Sequence, residues 1–379
     1  MTEEQKSAIL CVVKIQRQSV LPIFFEKWKR LHKFSLRKGI DSMKNVTLKD
    51  VAKAAGVSYA TVSRALSGSP QIGSETRERV LKLCDEMGYT TNFVARSMVT
   101  KRTNLIGLVV PSVDNQFMSE LAYHAEVSAR AHGYNIMLCD SGPDLRQEKT
   151  VVKLLLGRQV DGILIVPQSS RSYDNLRSYL DQVPTVFLSE NLRDQPQSYV
   201  AVDNSRGTYL GTQYLYELGH RDILYFGQRS STTHQLRAEG YLKACQELGL
   251  KPRFFNSEYS RSSIQGGYQL AKELFKKPLD YTAVFASTDS NALGMLTAAD
   301  EMGIDIPGRL SLIGFDNISA TSLSRIDLTT VDQPKRDMAV QAVDMLRGKI
   351  ENGTQGYVHQ ILLPTLIRRG TCREPFSAK

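Results

Sequence analysis

The sequence predicts an N-terminal all-α helix-turn-helix head followed by an α/β body of two doubly wound parallel-sheet subdomains. Three observations predict it. Residues 47–66 carry the spacing of two short helices around a tight turn. The positive charge is gathered in the first quarter of the chain. From Leu105 onward, continuous Val/Ile/Leu runs alternate with helical patterns, the mark of parallel strands covered on both faces.

In the head, Leu48 to about Ala55 reads as a helix with Val51, Ala52 and Ala55 as its inward stripe. Gly56 supplies a left-handed residue that ends this helix at little steric cost, and Val57 plugs the corner. Ser58 is the N-cap candidate of a second helix, whose Val62, Ala65 and Leu66 face the small core. Its outward face is then Tyr59, Ala60, Thr61, Ser63 and Arg64: short hydrogen-bonding groups, one aromatic and one guanidinium. A helix-turn-helix of this form is built to place one helix in a DNA major groove. An ordinary helical hairpin is the competing reading of this segment taken alone.

The body alternates regularly. Leu105–Val110 reads as a buried strand ended by Pro111, Met118–His132 as a helix stopped by Gly133, and Tyr134–Cys139 as a strand. Helix Gln147–Gly157 and strand Gly162–Val166 follow, then short strands at Pro184–Leu188 and Tyr199–Val202. After Asp203 the cycle restarts with helix Gly207–Leu218, strand Asp222–Phe226 and helices Leu236–Leu248 and Gly266–Leu274. Strand Ala283–Ala286, helix Ser290–Met302 and strand Leu310–Phe315 complete the pattern. Ligands of such sheets bind outside the carboxyl ends of the strands, so two facing subdomains make a cleft there. Residues 92–101 have the length of one short helix, marginal in isolation.

The chain has 379 residues, 41% of them apolar, and a net charge of +9. That is more than one ordinary domain and enough for a sizeable core. Residues 1–42 hold nine Lys/Arg against four Asp/Glu, residues 43–103 ten against five, and the remainder 29 against 30. A basic head on a near-neutral body suits a polyanion partner for the head and a different task for the body. The five cysteines (Cys11, Cys84, Cys139, Cys245, Cys372) are scattered, with no C-x-x-C pair. No disulfide framework or structural zinc site is implied, which fits a reducing cytosol. The apolar stretches Ala8–Val13 and Val20–Phe25 are too short to span a membrane, and Glu26-Lys-Trp-Lys-Arg30 follows the second immediately. The expectation is a soluble cytoplasmic protein with no membrane partner. Residues 1–42 are set apart as an extension of unknown role, an upstream start or an added segment, with Met43 reading as a true beginning.

These residues are specific enough to carry a resemblance. The chain from about Asn45 to Cys372 resembles the lactose-repressor (LacI/GalR) family of bacterial transcriptional regulators. The head carries it through Thr47-Leu-x-Asp-Val-Ala-x-x-Ala-Gly-Val-Ser58, Thr61-Val-Ser-Arg-Ala-Leu-Ser-Gly68 and Thr76-Arg-Glu-Arg-Val80. The body adds Ile106-Gly-Leu-Val-Val-Pro111, Asn115-Gln-Phe117, Val202-Asp-Asn204, Leu218-Gly-His-Arg221, Arg237-x-x-Gly-Tyr241 and Leu312-Ile-Gly-Phe-Asp316. The resemblance implies a periplasmic-binding-protein-like body, and a homodimer or higher oligomer reading a near-palindromic double-stranded DNA operator. It implies the divisions 43–91 for the head and 92–104 for hinge helix and linker. The first effector subdomain is then 105–203 with 331–360, and the second 204–330 with 361–372.

Site residues follow by position. Tyr59 and Ala60 occupy the family's main base-reading places, with Arg64 and Ser63 as further candidates and Ser58 and Thr61 beside them. Thr47 and Asn92 are expected at phosphates or in the linker. Family hinge helices wedge a leucine into the minor groove, and here Met98 stands in that place, an adaptable apolar substitute. Thr91 replaces the usual proline before the hinge asparagine. Arg96 faces the groove or a phosphate, or is a solvated linker charge. For a small-molecule effector, by family a carbohydrate, Arg237 matches a ligand-holding arginine and Asp316 an acid that accepts from ligand hydroxyls. Asp289 is a third effector candidate, although Thr288 replaces a common asparagine before it. Phe117 either stacks on the ligand or packs the core. Ser189 and Glu190 stand where an acid-then-arginine pair is common, and Gln168 and Tyr259 are wall candidates.

Two other function classes compete. No G-x-G-x-x-G after a strand, G-x-x-x-x-G-K-[ST], H-E-x-x-H or G-x-S-x-G is present, and the histidines lack metal-ligand spacing. The expectation is therefore no enzyme and no cofactor. An extracytoplasmic sugar-binding protein would share the body but not the helix-turn-helix.

Overall fold

The computed structural model describes residues 46–66, 69–89, 102–142, 144–192, 195–227, 231–255, 262–354 and 356–375. The expectations for residues 1–42, Asn92, Arg96, Met98 and Tyr259 lie outside these residues. The chain divides into two compact units, residues 1–92 and 93–379.

The first unit holds α1 (Leu48–Ala55), α2 (Tyr59–Leu66) and α3 (Ser74–Glu86). Gly56 adopts φ 65°, which lets the Val57 N–H reach back to Ala52 O at 3.1 Å and turn the chain. Val51, Ala52 and Ala55 of α1 bury against Val62 and Ala65 of α2 and against Val80 and Cys84 of α3. Burial of a side chain like Val62 contributes roughly 1.5–3 kcal/mol. The sequence offered α3 only as a motif, because nine of its thirteen residues are charged or hydroxylic and few faces repeat.

In the second unit, the first sheet contains β1 (Leu105–Val110), β2 (Asn135–Asp140), β3 (Gly162–Ile165), β4 (Thr185–Leu188), β5 (Ser198–Val202) and β11 (His359–Leu362). Its spatial order is β11-β5-β4-β3-β1-β2, and every pairing is parallel. The second contains β6 (Ile223–Phe226), β7 (Phe254–Phe255), β8 (Ala283–Ala286), β9 (Ser311–Asp316), β10 (Thr329–Asp332) and β12 (Thr365–Ile367). Its order is β12-β10-β9-β8-β6-β7. Helices α4 (Gln116–Ala131), α5 (Leu145–Gly157), α6 (Ser172–Leu180), α7 (Asn204–Glu217), α8 (Thr232–Leu248), α9 (Ile264–Phe275), α10 (Asp289–Glu301) and α11 (Lys335–Asn352) connect and cover them.

Three differences from expectation have physical causes. The second sheet is not wholly parallel: β12 runs antiparallel to β10, because the chain arrives from β11 through only Leu363 and Pro364. An antiparallel neighbour needs no helical crossover. The pattern also continues past Phe315 through β10, α11, β11 and β12. Strand β10 reaches Asp332 in the second sheet and β11 reaches Leu362 in the first. The chain therefore changes sheets at 333–334 and 363–364, not at 330/331 and 360/361. Finally, α6 forms between β3 and β4, burying Tyr173, Leu176 and Leu180, although it starts without a side-chain cap.

Candidate nucleic-acid and ligand sites

In the head, polar side chains first build the helices and then present a face. Thr47 caps α1: its hydroxyl donates to Asp50 Oδ2 at 2.7 Å, and that carboxylate also accepts the Thr47 N–H at 2.9 Å. The Thr47 hydroxyl, expected at a phosphate, is thus engaged in a capping box. Thr47→Ala should lower head stability by about 1 kcal/mol while leaving base discrimination unchanged. Thermal melting by circular dichroism reads the first effect and competition between duplexes the second.

Ser58 caps α2, accepting the Thr61 N–H at 3.1 Å and sharing a hydrogen bond with the Thr61 hydroxyl at 2.9 Å. The side chains beyond the cap point out. Tyr59 is 54% exposed, Ala60, Ser63 and Arg64 are exposed, and Thr61 is half-buried. No acid occupies the first turn of α2, so the positive end of its dipole remains available to a phosphate.

In the body, the elements that meet at the carboxyl ends of β8 and β9 enclose a guanidinium. Arg237 projects from α8 and is 3% exposed. Its Nε donates to Asn204 Oδ1 at 2.8 Å, Nη1 to Ser287 O at 2.5 Å and Nη2 to Asp316 Oδ1 at 3.2 Å. The fork lies 3.7 Å over the Phe315 ring. Asp316 is held from the other side, where Gln333 Nε2 donates to the same Oδ1 at 2.6 Å. Lys335 Nζ donates to the carbonyls of Asp316 and Asn317, each at 2.8 Å. Burial pushes the Asp316 carboxyl up, and the Arg237 guanidinium opposes that shift. The backbone at Asp316 has φ 125°, a strained conformation that persists because these neighbours over-determine it.

Asp289 and Phe117 are both buried. Asp289 is fully buried, its Oδ2 accepts the Ile318 N–H at 3.0 Å, and its Oδ1 accepts the Thr330 hydroxyl at 2.5 Å. One oxygen thus holds the turn after β9 and the other holds β10, so Asp289 ties together the elements that flank Asp316. Phe117 is 4% exposed and packs with Val110 and Leu121. Gln168 donates its backbone N–H to Glu148 Oε1 at 3.0 Å. Thr233 of α8 donates to Glu190 Oε2 at 2.6 Å.

The two sheets' domains also touch through α4. Glu120 Oε1 accepts from the Ser319 N–H and hydroxyl at 2.8 and 2.7 Å, and Glu120 Oε2 lies 3.5 Å from Lys335 Nζ. Asn115, the cap of α4, donates to Ser262 O at 3.0 Å. Sequence reasoning missed Asn204, Ser287, Gln333, Lys335 and Glu120. Asn204 ends a quoted motif, whereas Ser287 contributes a carbonyl that no side chain announces.

Protonation follows burial. His234 bonds to the Ser231 and Ser262 hydroxyls at 2.8 and 3.1 Å. Burial and then the Arg237 charge lower its pKa from 6.5 to about 3, so it is neutral. Burial raises Asp289, and the nearby Asp316 charge adds to that. A raised acid binds its proton more tightly when folded, so its stabilisation is greatest at low pH. That contribution declines as pH climbs from the ordinary carboxylate range near ~4. The depressed His234 gives the opposite slope, so the informative quantity is the difference between Asp289→Asn and wild type. Raising pH from about 4 to about 8 should move the Tm difference in favour of the asparagine variant; parallel Tm curves would contradict the assignment.

Comparison with known proteins adds relatives to this geometry. The signature of bacterial regulatory proteins of the lacI family matches residues 47–92, and that of the periplasmic binding protein-like domain matches residues 212–372. The HTH-type transcriptional regulator DegA of Bacillus subtilis (strain 168) is 33% identical over 332 residues, 86% of this chain and 98% of that protein. Among solved structures, a lac repressor dimer bound to operator and the anti-inducer ONPF superposes with a TM-score of 0.77. That match has 28% identity and covers 87% of this chain and all of the other. A complex of the transcriptional regulator CelR with cellobiose matches with a TM-score of 0.63 at 28% identity, covering 86% of this chain and 99% of CelR. No described helix is long and apolar enough to cross a membrane.

Proposed function

The chain belongs to the lacI family of bacterial regulatory proteins, and from that premise we infer that it is a DNA-binding transcriptional repressor controlled by a small polyhydroxyl effector. It acts as a cytoplasmic homodimer, without catalysis, each head presenting α2 to one half-site of a near-palindromic operator. Tyr59, Ala60, Ser63 and Arg64 read base edges, and the end of α2 and nearby basic groups position on phosphates. Ala60 can offer only apolar contact with a thymine methyl. Asn92, Arg96 and Met98 remain proposed hinge contacts in the minor groove.

One observation carries the effector half of this reading: a buried arginine and a buried aspartate, paired to each other at the carboxyl ends of β8 and β9. A donor fork beside an acceptor suits vicinal hydroxyls, and cellobiose in the CelR complex is such a ligand. Effector binding shifts the population between closures of the body, and couplings of this kind amount to about 1–3 kcal/mol. The test selects duplexes from a random pool with purified protein and then screens sugars for altered retention. A recurrent two-fold sequence whose capture responds to a sugar supports the reading, whereas sequence-independent capture overturns it.

A further inference from the structure

The carboxyl ends of the first sheet hold a buried acid that no cation among the described residues neutralises. Glu190 follows β4 and is 4% exposed. Its Oε2 accepts the Thr233 hydroxyl, and the Thr232 hydroxyl and the N–H groups of Thr232 and Thr233 at the start of α8 also favour the carboxylate, whereas Oε1 has no hydrogen-bond partner. Among the described residues no Lys, Arg or His lies within ion-pair reach of it. Glu148, fully buried near β3, repeats the pattern: Oε1 accepts the Gln168 N–H and Oε2 is unpartnered. Gln168 and Glu190 both lie three residues past the last register pair of β3 and β4, Ile165 with Phe187. The two acids therefore share one corner of the fold.

That corner adjoins the ligand site. Thr233 and Arg237 are four apart on α8, so they lie on one face, one turn apart. Glu190, bonded to Thr233, thus sits about one helical turn from the arginine. Among the described residues the cations here are matched, Arg237 by Asp316 and Lys335 by Glu120, and His234 is neutral. Burial raises the Glu190 pKa, a shift toward the neutral acid that a bound cation would oppose. A buried carboxylate with a vacant lone pair is costly unless a charged donor meets it.

We propose that Glu190 is a specificity residue that receives a protonated amine, so that the effector is a polyhydroxyl compound bearing an amino group. The hydroxyls engage Arg237 and Asp316 while the ammonium pairs with Glu190 Oε1. This rests on the ligand-cleft reading above and narrows it. A neutral sugar would place at most a hydroxyl there, whereas a charged hydrogen bond adds roughly ten- to hundredfold in affinity.

Equilibrium dialysis of the full chain against matched sets decides it: glucosamine, galactosamine, mannosamine and glucamine, each with its N-acetylated and hydroxyl counterparts. The expected result is retention of an amine at least tenfold tighter than its neutral partners. In Glu190→Gln that preference should collapse, with far-ultraviolet circular dichroism unchanged. Wild-type selectivity alone suffices should the variant misfold. Equal or better retention of a neutral counterpart overturns the proposal but leaves the cleft reading intact, provided Arg237→Ala loses that compound. Retention of no amine also overturns the proposal, and the operator selection then judges the cleft reading separately.

Discussion

Arg237→Ala should abolish the effector response of operator binding and destabilise the body by about 3–5 kcal/mol, the cost of leaving one member of a buried ion pair alone. The size follows from what the side chain holds. Its removal strands the Asp316 carboxylate, the Asn204 carbonyl oxygen and the Ser287 carbonyl, all of them buried. Operator affinity without effector should persist at temperatures where the body stays folded, because the head carries its own core. Arg237→Lys keeps the charge and loses the planar fork, so it should fall between the two in stability while still failing to respond. Scanning calorimetry and anisotropy of a labelled operator check both; an alanine variant that still responds to the ligand would remove Arg237 from the site.

The second large effect belongs to the head. Arg64→Ala should weaken operator binding by about 1–3 kcal/mol per half-site if Arg64 reads a base, which a dimer expresses twice. That amounts to roughly thirty- to twenty-thousandfold. Arg64 is exposed on the last turn of α2, so truncation leaves the Val62 and Ala65 packing intact and the head should melt unchanged. The sequence profile distinguishes its roles. Loss of discrimination at one operator position marks a base contact, and a uniform loss with a salt slope smaller by about one marks a phosphate contact. Unchanged affinity in a gel-shift titration would mean α2 presents another face to DNA.

Local chemistry explains what could be read from the sequence. The turn at Gly56 and the inward stripe of Val51, Ala52 and Ala55 placed α1 to the residue, and β1 and β8 came from uninterrupted apolar runs. Helix starts were read late where polar caps open them: Asn115 starts α4, Asp203 α7 and Ser231 α8. Strand β10 hid because Thr329 and Thr330 look polar while their hydroxyls donate to Arg369 O and Asp289 Oδ1 inside the core. Arg237 and Asp316 were legible through the resemblance, and the fold brings them together. Gln333 and Lys335 were not, since they follow a strand the periodicity did not reveal. Asp289 was legible in the same way, but its bonds to Ile318 and Thr330 were not, since both partners lie in segments far along the chain.

The central claim, a duplex-reading head governed by a ligand in the body, is tested most directly by titrating a selected operator with the full chain, with and without the compound that the cleft retains. The account predicts tight binding to the two-fold duplex, weak binding to a scrambled one, and a ligand-induced change in operator affinity mirrored by an equal change in ligand affinity when operator is present. Equal binding to both duplexes at low salt, unmoved by any compound the body retains, would contradict it.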